Sequence, residues 1–136
     1  MMAPIDPVVR LMLLCDRAAP DPDNPRKTNI YGVVSTIAVE AGAAFPVHHP
    51  EISVYLLLTE GRGTGQGRIV VVNADTEEPA FSSAAHPITF GPDPLALQGR
   101  CFRILDCTFP APGLYWVEFR FNGKVLARQP LEVKQR

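Results

Sequence analysis

The chain has 136 residues, 46% of them hydrophobic and 20% charged, which is the balance of a globular protein and excludes a disordered one. That length suits a single domain with its own core. Thirteen basic and fourteen acidic residues give a formal net charge of −1, so no global field steers the protein onto nucleic acid or an anionic membrane, and neither is expected as a partner.

Fourteen prolines and ten glycines lie scattered between apolar runs, as punctuation does in an all-β protein. The opening stretch MMAPIDPVVRLMLLCDR has an apolar run of only Val8 to Cys15, interrupted by Arg10 and preceded by Asp6 and two prolines. It has the pattern of neither a signal peptide nor a membrane span. Val8 to Cys15 reads as a strand, and DRAAPDPDNPRK as a turn-rich loop. Thr28 to Val39, rich in β-branched and aromatic residues, is a second strand closed by AGAAFPVHHP. Ile52 to Thr59 and Arg68 to Asn73 flank the glycine-rich EGRGTGQGR, and two strands joined by a short glycine-rich segment read as a hairpin with a flexible tip. Phe81 to Phe90 contains Pro87 and reads as one edge strand or two fragments. Asp93 to Leu97 is compatible with one helical turn.

The C-terminal third is the clearest. Arg100 to Phe109, Leu114 to Phe121 and Val125 to Val133 are strands, the first two separated by the turn PAPG and the last two by Asn122-Gly123, a pair suited to a type I′ hairpin turn. Alternation sends Tyr115, Val117, Phe119 and Phe121 to one face and Trp116, Glu118 and Arg120 to the other. Simple pairing across the turn sets Arg128 opposite Val117, a conflict that a bulge near Ala127 or a place for Arg128 at the open end would resolve. The sum is about eight strands in a two-sheet antiparallel sandwich, immunoglobulin-like or jelly-roll-like, with a barrel as runner-up.

Motifs for chemistry are sparse. EGRGTGQGR leads into a strand, not a helix, lacks Lys-Ser or Lys-Thr, and breaks the dinucleotide spacing at Gln66. Arg62 and Arg68 leave a small anion-binding capacity there. His48 and His49 are adjacent, so on an extended chain they point apart, and His86 stands alone; zinc sites usually pair ligands two to four residues apart, and no metal is expected. Cys15, Cys101 and Cys107 make no disulfide framework. Cys101 and Cys107 share strand parity and read as small core or half-buried thiols. The cytoplasm is the expected location. Ser82, Ser83, His86 and Asp93 lie near one another without a strained elbow to expose a serine. Asp21 with Asp23, and Glu77 with Glu78, read as solvated turns. Trp116, the only tryptophan, lies opposite the aromatic face between charged residues, as in a binding or dimer surface or, equally, beneath a cover formed by the loop after Thr108 or the long early loop.

The order of the motifs resembles a family of small uncharacterised bacterial β-sandwich proteins. Leu14-Cys15-Asp16, a proline-rich loop and Lys27-Thr28-Asn29-Ile30-Tyr31-Gly32-Val33 are similar to its opening pattern, with Arg26 where the family tends to have glycine. Pro112-Gly113-Leu114-Tyr115 and Phe121-Asn122-Gly123-Lys124 are similar to its closing strand and turn, and also to immunoglobulin-type modules. The resemblance implies a sandwich and no particular reaction. The expected function is therefore a non-enzymatic binding or scaffold module without cofactor, with a protein partner or homodimer engaged through an edge strand or through Trp116. The alternative is a small-molecule or metal site at the loop end, using His48, His49, His86 and Arg62.

Overall fold

The computed structural model describes residues 3–136, so Met1 and Met2 of the opening stretch lie outside the described residues. Ten strands follow one another with no helix among the described residues, and none is present that is long and apolar enough to cross a membrane. They are β1 (Val8–Pro20), β2 (Thr28–Val33), β3 (Thr36–Val39), β4 (Val47–Thr59), β5 (Thr64–Asn73), β6 (Pro79–Ser82), β7 (His86–Thr89), β8 (Gln98–Phe109), β9 (Gly113–Phe121) and β10 (Lys124–Gln135). One sheet has four strands in the order β2-β1-β4-β8; the other has six, ordered β3-β10-β9-β5-β6, with β7 beside the first half of β5. All pairs are antiparallel but one: β3 runs parallel to β10.

The core lies between the sheets. β4 turns Ile52, Val54, Leu56 and Leu58 inward, and β9 turns Tyr115, Val117, Phe119 and Phe121 inward, all at most 2% exposed. Each such side chain is worth about 1.5–3 kcal/mol of apolar burial. Phe109 and Tyr115 meet edge to face at 4.9 Å between centroids. The Tyr115 hydroxyl donates to Ala111 O at 2.7 Å, so the ring's one polar atom is satisfied.

Several boundaries differ from the sequence reading. The first strand continues through Pro20, whose partner is Thr28; Asp21 then folds the loop by accepting from the backbone amides of Asp23 and Asn24 at 2.8 and 3.1 Å. Thr28 to Val39 is two strands rather than one, because the chain leaves the four-stranded sheet after Val33 and joins the six-stranded sheet at Thr36. The weak segment before Gly91 is two fragments, β6 and β7, and 93–97 forms a turn, with Ala96 N donating to Asp93 O at 3.2 Å.

The hairpin expected between β4 and β5 does not exist. β4 bonds to β1 and β8, β5 to β9, β6 and β7, and residues 60–63 carry the chain from one sheet to the other. The crossover is tied down on both sides: Arg62 and Ile5 exchange backbone hydrogen bonds of 3.0 Å, and Phe90 N donates to Gly63 O at 2.9 Å. Two glycines of the strand that follows serve packing. Gly65 and Gly67 are inward positions of β5; a Cβ on Gly65 would run into the ring of Phe121, and one on Gly67 would stand 2.7 Å from Ile88 Cδ1. They thin the strand so that side chains from β7 and β9 can lie across it.

In the last hairpin, Asn122 and Gly123 have φ of 50° and 83°, as a type I′ turn requires. The bulge is at Leu126, where the register shifts between Val125 and Ala127; Arg128 then pairs with Glu118 rather than Val117.

Candidate functional site

The outer face of the six-stranded sheet gathers charged and aromatic groups around β9. Period-two alternation puts Trp116, Glu118 and Arg120 there. From β5 come Val72 opposite Trp116, Val70 opposite Glu118 and Arg68 opposite Arg120. From β10 the bulge at Leu126 delivers Arg128 opposite Glu118 and Pro130 opposite Trp116.

Glu118 is the only carboxylate on these paired positions and is 8% exposed. It accepts from Arg120 Nε at 3.0 Å and Nη2 at 2.7 Å, both on Oε1. A carboxylate this far from water is held in place by its charged partner, since burying it alone would cost several kcal/mol. The Arg128 guanidinium lies 3.8 Å from the centroid of Trp116, within cation–π range. Trp116 is half-buried by that stack. A shallow depression of about 330 Å³ opens over these groups, with Glu77 and Asn73 on its rim. Such a surface can grip an acidic group with two guanidiniums while a flat aromatic supplies contact area.

The other sequence candidates are scattered. Arg62 is half-buried in the crossover. His48 and His49 lie in the first turn-side residues of β4, a strand where the sequence suggested a break. His48 Nδ1 is 2.9 Å from Thr108 Oγ1, while His49 is opposite Cys107 and half-buried. Arg62 follows the far end of β4, about 36 Å away at 3.3 Å per strand residue. His86 is on β7, edge to face with Phe102 at 5.8 Å, and Phe102 is six residues, about 20 Å, along β8 from the partner of His48. The loop-end site combining these four residues is therefore not assembled. Among the described residues no three His, Cys, Asp or Glu side chains stand together to hold a metal ion.

Ser83 is occupied structurally: its hydroxyl accepts from Ile69 N at 3.0 Å and donates to Ala84 O at 2.9 Å. Cys101 and Cys107 prove not to share a face. Asp106, with φ of 53°, reverses the alternation of β8 between them, leaving Cys101 exposed and Cys107 in the core. Burial pushes the Cys107 thiol up to about 12 and raises Cys15 above the ordinary thiol value, and partial desolvation by its neighbours raises Cys101 despite its surface position. Poorly ionised thiols are weak nucleophiles.

Alternation in the sequence located Trp116, Glu118 and Arg120. Arg128 was missed as their neighbour because its place depends on which residue bulges. The partnership of Arg68 with Arg120 was missed because the assumed hairpin set β5 beside β4. No curated protein matches the chain. A family model covers residues 10–134, spanning both sheets and all the residues of this face, and the chain belongs to that family, a family of unknown function (DUF6941).

Proposed function

We propose that the chain is a non-enzymatic binding module that docks an acidic protein segment on the outer face of the six-stranded sheet. The observation that carries this reading is the stacking of Arg128 on Trp116 at 3.8 Å, on a face where three arginines, Arg68, Arg120 and Arg128, stand with the carboxylates of Glu118 and, at the rim, Glu77. Excess positive charge beside an aromatic surface favours a negatively charged partner and speeds its encounter. The cation–π stack also orders both side chains before a partner arrives, which lowers the entropic cost of docking.

The same proposal reads the sandwich as immunoglobulin-like. Supporting it are the strand order of the two sheets and the bond from Tyr115, near the start of β9, to the backbone four residues upstream, the placement of a tyrosine corner. This analogy concerns architecture and names no ligand. A bacterial cytoplasm is the proposed setting, in keeping with the family resemblance and with three free cysteines.

Trp116 is the only tryptophan, so its fluorescence reports directly on this face. Titration with oligoglutamate at low salt is expected to shift the emission saturably, and Arg128→Ala to weaken binding by about tenfold. Light scattering over a range of protein concentrations, read beside the emission, separates a second copy on this face from an acidic partner. Emission unchanged by the peptide and by protein concentration would sink the reading.

A further inference from the structure

Beside the Trp116 depression, on the same face, lies a second cavity of about 370 Å³ lined by Gln66, Arg68, Ala85, Arg120, Asn122 and Gly123. Arg68 and Arg120 are directly opposite each other on β5 and β9, a cross-strand position where side chains start about 5 Å apart and like charges repel. Only one of the two is neutralised within the protein. Arg120 gives Nε and Nη2 to Glu118, whereas Arg68 has no ion pair among the described residues. The lining contains no carboxylate.

Its remaining polar groups suit the same sign of ligand. Asn122 Oδ1 already accepts from Gln66 N at 2.8 Å, which leaves the Asn122 amide NH2 as a donor. The hairpin turn is fixed by the reciprocal bond from Asn122 N to Gln66 O at 2.9 Å, so the donors are set before any ligand enters. We infer that this cavity is a binding site for a phosphate monoester. A carboxylate has two oxygens, which one guanidinium fork can occupy; a tetrahedral phosphate offers a separate oxygen to Arg68, to the free edge of Arg120 and to the Asn122 amide. Its charge of about −1.5 to −2 at neutral pH also gives the unneutralised Arg68 a stronger counter-charge than a carboxylate does. The cavity stands on residues other than Trp116 and Arg128, and does not require a protein to dock on them.

The test uses the full chain and phenyl phosphate, followed by phosphorus NMR and by thermal shift at matched ionic strength. Saturable binding is expected, weakened by about tenfold or more in Arg68→Gln, with the unliganded variant melting at or slightly above the wild type, because Arg68 is exposed, has no ion pair and loses only its repulsion with Arg120. Arg68→Lys, which keeps the charge and loses the fork, is expected to fall between them. A phosphoserine peptide that binds tenfold tighter than phenyl phosphate assigns the ester to a protein; equal affinity assigns it to a free small molecule. No saturable binding, equal binding by Arg68→Gln, or the same effect from acetate would overturn the site. Phosphate binding without any response to oligoglutamate would leave this site standing and remove the acidic-segment reading.

Discussion

Gly65→Ala tests the packing that joins β5 to β9. The added methyl group would enter the ring of Phe121, whose Cε1 would stand 2.9 Å from it and other ring atoms nearer still. Phe121 is 2% exposed and is flanked by Phe90 and Phe119 at 6.0 and 6.4 Å between centroids, so the ring has no empty space to enter. Overpacking of this kind costs about 1–3 kcal/mol, against a gain of roughly 0.5–1 kcal/mol from replacing a strand glycine. The net loss is about 1–2 kcal/mol, which lowers Tm by about 4–8 °C for a domain of this size. The assay is urea unfolding followed by tryptophan fluorescence, with Gly91→Ala as the control, since nothing lies within 4 Å of a Cβ there. Combining Gly65→Ala with Phe121→Leu should recover part of the loss, as expected for residues in contact. A Gly65→Ala protein as stable as Gly91→Ala, or losses that simply add in the double variant, would refute the close-approach argument.

Three further predictions concern the core and its thiols. Tyr115→Phe removes the bond to Ala111 O while leaving the ring in place, and urea unfolding should show a loss of about 0.5–1.5 kcal/mol; an unchanged midpoint would mean that water replaces the hydroxyl at no cost. A disulfide reagent at pH 8 should titrate Cys101 in the native protein and all three cysteines after denaturation, because Cys15 and Cys107 are buried. Cys107 ionises near 12 when folded against 9.0 for an unperturbed thiol. Below pH 9 both states hold the proton; above it the unfolded state loses the proton first, so stability falls as pH rises from 9 towards 12. Cys107→Ser should flatten that decline in unfolding free energy, and a decline of the same steepness in the variant would assign it to other groups.

How much was legible in the sequence depended on whether the signal was local. Asn122-Gly123 dictates its own turn through two positive φ angles, and the alternation from Tyr115 to Phe121 needs no knowledge of neighbours, so the last hairpin and one row of the candidate site could be read directly. The crossover could not. Alternating glycines suit a slack turn as well as a strand thinned for a distant ring, and the ring that decides between them, Phe121, belongs to a strand far downstream. The position of Arg128 likewise waits on a one-residue bulge, whose placement at Leu126 rather than Ala127 depends on the packing of a whole sheet.

The glycines and the arginine pocket are two sides of one strand. Along β5, Gly65 and Gly67 face the core while Gln66 and Arg68 face out. The absence of side chains inward lets Phe121 lie across the strand, and that close fit brings the following residue, Asn122, within hydrogen-bonding distance of Gln66 in both directions. Register is then fixed, and Arg68 must stand opposite Arg120. A pair of like charges in this position opposes sheet formation, yet it sits where the register is held by aromatic packing and by two hydrogen bonds at the turn. The core thus sets two arginines at directly opposed positions of the sheet, and an anion bound between them would offset a repulsion that the register imposes. Stabilisation by phosphate should accordingly be larger in the wild type than in Gly65→Ala, where displacement of Phe121 loosens the same register.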